Sequence, residues 1–322
     1  MTNRWQSNGK LRTIPAMKKL PPLLLSLFIS ASLWAQEYRI TGVDGQAALI
    51  PKGSTMASPA VKGVTLQGGD RLITGNGGRV EIAAKQGTVL ELKEKSYFRI
   101  QNLAAGKSSF YLKMGRLLAR FAPSSQTGTT YRVRTPTVVA AVRGTELGVA
   151  VADNGGTEGG VIEGRVDFKK SPDDPKAVMS WSDEDPRLEE DVIPAEAGIQ
   201  SVNLSSEATG SPIKTFGDDS ISVGPSEGIA VKPNGMPEKL PGLPPVIVSD
   251  LAWFTSVRER VPKLRDEWKD LDVPSQMKLR QQALRERITW EIPAKLNPAK
   301  AMPSKPAPEK ISPKKKDIPK PR

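Results

Sequence analysis

The 322-residue chain has no cysteine and no histidine. Disulfides, thiolate nucleophiles, cysteine zinc sites and a lipid anchor on an N-terminal cysteine are thereby excluded. So are histidine–carboxylate dyads, Ser-His-Asp triads and the commonest metal ligand. Aromatic residues are scarce, at 5%, whereas glycine and proline number 28 each. That balance favours short strands and many turns over long helices. Nothing calls for a cofactor or a metal, and no motif points to a small-molecule substrate. The oxygen-rich stretch Asp153 to Glu158 lacks the alternating ligands and distant bidentate glutamate of an EF-hand, and reads as a hairpin loop.

Acids are missing from both ends. Residues 1–35 carry five cations and no acid, and residues 294–322 carry eight lysines, Arg322 and two acids. Taking these +5 and +7 from the total of +12 leaves residues 36–293 neutral. A nucleic-acid binder should carry a basic face on its folded part, so nucleic-acid binding by the core is disfavoured.

Residues 17–35 have the build of a secretory signal peptide: Lys18 and Lys19, an apolar centre from Leu23 to Ile29, and Ala35 as a small residue before Gln36. The expectation is a periplasmic or secreted protein cleaved near Ala35. Retention as an inner-membrane signal anchor is the alternative, although the apolar run of about 15 residues is short for a span. Met1 and Met17 both stand as starts.

From residue 37 to 122 the chain reads as a run of short strands. Val80/Ile82 and Phe98/Ile100 are spaced by two, and turn residues return about every 8–10 positions. Such strands are too short to be stable alone and must stack to bury an apolar face. The densest stretch is 133–168. Strand-forming residues run to Thr135-Pro136, resume through Val138 to Val142, break at Arg143-Gly144-Thr145, resume through Leu147 to Val151, and return as Val161 to Phe168.

These residues carry a resemblance. Gly69-Asp70, Ile73-Thr74-Gly75, Gly87-Thr88, Gly115-Arg116-Leu117, Val133 to Thr137, Val142 to Leu147 and Val161 to Val166 are similar to the pattern of FecR-domain proteins, with its TP step, RGT tripeptide and glutamate-glycine return strand. The resemblance spans roughly residues 60–235. It implies a non-enzymatic, exported interaction or signal-sensing module with a protein partner in the cell envelope. Its best-known members place a cytoplasmic anti-sigma segment before a membrane span. Only about 16–19 residues precede the apolar stretch here, so an exported form without that segment is expected.

The expected fold is mainly β, a short-strand sandwich or solenoid-like domain over 36–235. A Pro-rich linker (236–248), two amphipathic helices (249–292) and a disordered Lys/Pro-rich tail (293–322) follow. Ser249 and Asp250 offer a helix cap, and Pro262 a kink. The helices are expected to dock within the chain, while Trp253, Trp268 and Trp290 keep a partner-facing surface open as the other reading. The tail suits contact with an anionic surface or service as a solubilising spacer.

The candidate interaction residues are Asp70, Thr135, Pro136, Arg143, Gly144, Thr145, Glu163 and Gly164. Asp70 reads as a turn residue holding a local hydrogen bond. Pro136 should sit at a strand start or edge, where a missing N–H costs nothing. Arg143, flanked by strand residues, is expected to serve its own fold by pairing with Glu146 or Glu163. The competing reading offers its guanidinium fork to a partner. Two further functions are set against the leading one. A cell-wall or polysaccharide binder would need an exposed row drawn from Tyr97, Phe98, Phe110, Tyr111 and Tyr131. A glycosidase would need two acids across a cleft.

Overall fold

A computed structural model describes residues 37–104, 106–123, 125, 129–172, 220–271 and 276–297. The leader at 1–36, residues 173–219, whose Asp183 to Asp191 are rich in acids, and the expected tail beyond 297 lie outside them.

Two sheets share one strand. Sheet A runs β4 (Thr65–Leu66), β1 (Tyr38–Asp44), β6 (Arg79–Ala84), β7 (Val89–Leu92), the second half of β9 (Lys107–Arg120), β12 (Glu146–Val151), β13 (Thr157–Glu163), β16 (Glu227–Val231) and β17 (Glu238–Leu240). Sheet B runs β3 (Ser58–Pro59), β2 (Ala47–Ile50), β5 (Arg71–Thr74), β8 (Tyr97–Ala104), the first half of β9, β10 (Thr130–Arg134), β11 (Val138–Val142), β14 (Val166–Lys170) and β15 (Ser220–Val223). Among the described pairings all are antiparallel except β9–β10.

One core lies between the sheets. Ile40, Val80, Ile82, Leu117 and Val149 from sheet A meet Leu49, Leu72, Phe98, Phe110, Val133 and Phe168 from sheet B. At its centre Phe110 touches the rings of Tyr38, Phe98 and Phe121, at centroid separations of 5.5, 5.7 and 6.1 Å. Of the two architectures expected, the sandwich is the one formed. β9 passes between the layers by two local devices. Lys113 is an extra residue against β8, since Tyr97 pairs with Met114 but Phe98 with Leu112. This bulge changes which alternate residues face inward, from Phe110 and Leu112 to Leu117 and Ala119. Gly115 then adopts φ +92°, a conformation that costs a residue with a Cβ, and Ser96 Oγ accepts the Arg116 N–H at 3.0 Å.

The strands run past residue 235, and the segment expected as a linker carries β17 and a short helix α1 (Pro245–Val248). Ile247 of α1 is fully buried on the outer side of sheet A. The seat exists because Gly148, Gly160 and Gly228 are paired across β12, β13 and β16. A Cβ on Gly148 would stand 2.7 Å from Ile247, and one on Gly228 2.8 Å from Pro244.

The helical region is α2 (Leu251–Arg260), a 3-10 turn (Val261–Lys263) at the expected Pro262 kink, α3 (Leu264–Asp270) and α4 (Gln276–Ala283). Asp250 does not cap α2 through its side chain. Its carboxylate instead meets Lys93 at 3.2 Å and Arg116 at 2.8 Å. Val257, Leu264 and Trp268 cover Ala83 and Val89 on the outer side of sheet A. α4 stops at Ala283, short of the helix expected to reach Trp290. Ile288, Trp290, Ile292 and Leu296 instead pack as irregular chain on Ile50, Ile73, Tyr97 and Met114, on the outer side of sheet B. Residues 293–297, expected in the disordered tail, are ordered, and Leu296 is buried. Residues 243–271 and 276–297 thus cover part of each outer face, and docking within the chain is the outcome for Trp268. Among the described residues no helix is long and apolar enough to cross a membrane.

Candidate interaction surface

Asp70 closes the turn before β5. Its Oδ2 accepts the Gln67 N–H at 2.9 Å, the local bond expected of a turn aspartate. A second partner comes from far along the chain. Arg280 of α4 grips both carboxylate oxygens, at 2.7 and 2.9 Å, and also donates to the Thr65 carbonyl at 2.7 Å. Asp70 is 1% exposed, so this bidentate pair ties α4 to the sandwich.

Thr135 and Pro136 lie in the hairpin loop between β10 and β11, with Pro136 just outside the ladder where its missing N–H costs nothing. Thr135 Oγ1 accepts the Val138 N–H at 3.0 Å and meets Thr157 Oγ1 at 2.9 Å. Thr137 Oγ1 donates to the same Thr157 oxygen at 2.6 Å. Three buried threonines thus join the hairpin of sheet B to β13 of sheet A. These two candidates serve the fold.

The other five sit at the opposite end of β11 and β14. Arg143-Gly144-Thr145 carries the chain from β11 in sheet B to β12 in sheet A. Glu163-Gly164-Arg165 carries it back from β13 to β14. Both glycines hold φ +85°. A Cβ on Gly144 would lie 2.5 Å from Pro123 Cα, and one on Gly164 2.6 Å from Thr145 Cγ2, so each tight turn fits against a neighbour. Thr145 is buried beneath them, and its carbonyl accepts the Phe121 N–H at 2.9 Å.

The expectation for Arg143 is corrected here. It lies in the break read between the strands, is exposed, and pairs with neither Glu146 nor Glu163 nor any other described residue. The buried charge is its neighbour Glu146, 3% exposed. Arg258 of α2 reaches Glu146 at 2.5 to 3.0 Å, Arg120 of β9 stands 3.3 Å away, and Arg258 also lies 3.2 Å from the exposed Glu163. Nearby, Arg260 bridges Glu81 and Glu267. The hydrogen bond from Arg260 holds the Glu267 carboxyl below the usual carboxylate range, against the opposing effect of burial.

Arg258 and Arg280, the two long-range partners, were not legible as site residues. Both stand on the polar sides of helices, and nothing local names a carboxylate more than 100 residues away. Among the described residues no three acids are grouped to hold a metal. An open cleft of about 610 Å³ on the outer side of sheet A, beside the bend of β9, has Glu94 and Glu158 on its walls.

Comparison with known proteins places this geometry. A family model described as FecR protein matches residues 70–167, from the turn of Asp70 through both glycine turns. That stretch is similar to FecR domains, and the helices from 245 onward lie beyond it. Two crystal structures of a candidate anti-sigma factor from Parabacteroides distasonis are similar at 14% and 15% identity, each with a TM-score of 0.37. The similarity covers 56% and 57% of this chain and 63% and 64% of theirs, so the chain spans less than two thirds of their length. At that level of superposition the fold rests on this chain's own strands. No curated protein matches the chain.

Proposed function

We propose that this protein is an exported, non-enzymatic FecR-domain protein that binds a protein partner in the cell envelope, as an interaction or signal-sensing module. The observation that carries the reading is Arg143. The FecR match includes it, the turn that presents it is fixed by Gly144, and no described residue pairs with its guanidinium. A fork of donors held on a rigid turn is suited to recognising a carboxylate or backbone carbonyl. The leader pattern at 17–35 supports export, and the basic tail beyond 297 suits a nearby anionic surface.

The polysaccharide reading loses its discriminating feature, because Tyr97, Phe98, Phe110, Tyr111 and Tyr131 are all buried. The test is fractionation of cells making the C-terminally tagged chain, with intact-mass analysis and in-cell crosslinking. A periplasmic species beginning near Gln36 and crosslinked to an envelope protein is expected. A full-length species confined to the cytoplasm would overturn the reading, and a membrane-held species retaining Met1 or Met17 would replace the soluble module with a signal anchor.

A further inference from the structure

Arg143 and Arg165 emerge side by side. The turns that bear them are the two crossings between the sheets at one end of the sandwich, and the register sets Glu146 against Glu163 and Val142 against Val166. A Cβ on Gly164 would lie 3.3 Å from the Gly144 carbonyl, so the turns abut. Both arginines are exposed. Arg258, its side chain 44% exposed, adds a third guanidinium.

The acids around them are already engaged. Glu146 is buried under Arg120 and Arg258, and Glu163 has Arg258 at 3.2 Å. Glu227, the acid that Arg165 senses, takes Lys239 at 2.7 Å and the Gly224 N–H at 2.7 Å. Among the described residues the patch therefore has guanidinium donors in excess of the carboxylates that face it, on two turns that abut each other.

We propose that the abutting turns 143–145 and 163–165 dock an acidic segment of the partner protein, with Arg143 and Arg165 each presenting a guanidinium fork to a carboxylate. This rests on the reading above and names the surface and the partner's chemistry. The chain's own acidic stretch at 183–191 lies outside the described residues, and the test below separates it from a partner.

The test uses the purified full chain and a fluorescent peptide of about ten glutamates, with a glutamine peptide as control, read by anisotropy at about 20 mM salt, where charge is weakly screened. Removal of two charge-assisted contacts in R143A/R165A should weaken glutamate-peptide binding about tenfold or more. K263A/R265A, which removes the same charge from exposed positions of the helical region, should leave binding nearly unchanged. Both variants should melt close to the parent, since none of the four side chains makes a hydrogen bond or ion pair with a described residue. Equal loss in the two variants, or no preference for glutamate over glutamine, would overturn the proposal. So would stronger peptide binding once Asp183, Glu184 and Asp185 are neutralised, which would give the surface to the chain's own segment, or capture by these arginines of anionic phospholipid vesicles alone. A cytoplasmic location would defeat the envelope reading and leave the peptide result standing.

Discussion

At the scale of single residues, the sequence shows where charges lie but not which carboxylate each will meet. Asp70 was legible as a turn aspartate because its bond to Gln67 is local. Its larger partner, Arg280, is 210 residues away. The consequence is a prediction opposite to that for an exposed pair. Arg280→Ala leaves a buried carboxylate without its cation and should cost about 3–5 kcal/mol, measured by urea denaturation. Arg280→Lys keeps the charge but loses the fork, and should recover part of the loss. Arg143 was misread for a related reason. The break at Gly144 was legible, but the cation that meets Glu146 and Glu163 is Arg258, 112 and 95 residues further on, and the residue that enters the interior is Glu146.

At the scale of elements, the spacing of two in β6 and β8 was legible because both strands have one face in the core. β9 was not legible in the same way, since its bulge at Lys113 reverses the alternation halfway along. The linker reading failed at α1 because its hydrophobic seat is made by glycines of three other strands. Ile247→Ala should cost about 2–4 kcal/mol through the lost contact and the cavity left behind. Gly148→Val should release α1 from the sheet, read as faster hydrogen exchange across 243–248. The clip between Arg260 and Glu267 responds to acid. Because the folded Glu267 carboxyl is held below its ordinary value of 4.5, its contribution is present above that value and is lost as pH falls through the lowered one. An acid titration followed by tryptophan fluorescence, with Trp253 and Trp268 beside this clip, should show a transition below about pH 4.5 that is blunted in Glu267→Gln.

At the scale of the whole molecule, the helical stripe was legible but its route was not. Apolar residues at three- and four-residue steps say that a helix has a buried side, and only the finished sandwich says which sheet covers it. The FecR match ends at residue 167, yet apolar patches on the outer faces of both sheets are covered by residues between 253 and 296. A chain ending at residue 242 should therefore expose Ala83, Val89, Ile50, Ile73 and Tyr97 together. It should bind a hydrophobic dye strongly and aggregate at concentrations where the full chain does not. A truncated chain that stays monomeric and dye-silent would show that these faces need no cover.

Arg39, in the first strand, stacks over Trp268 at 4.7 Å and donates to the carbonyl of Leu271 at 2.7 Å, a partner 232 residues later. An order of events follows from that separation. While the ribosome is still making the middle of the chain, the first strand cannot complete its native surroundings. Contacts so distant along the chain also slow folding after release. The last contacts of β1 therefore form only after residue 271 has been made, and the sandwich is closed from its C-terminal side.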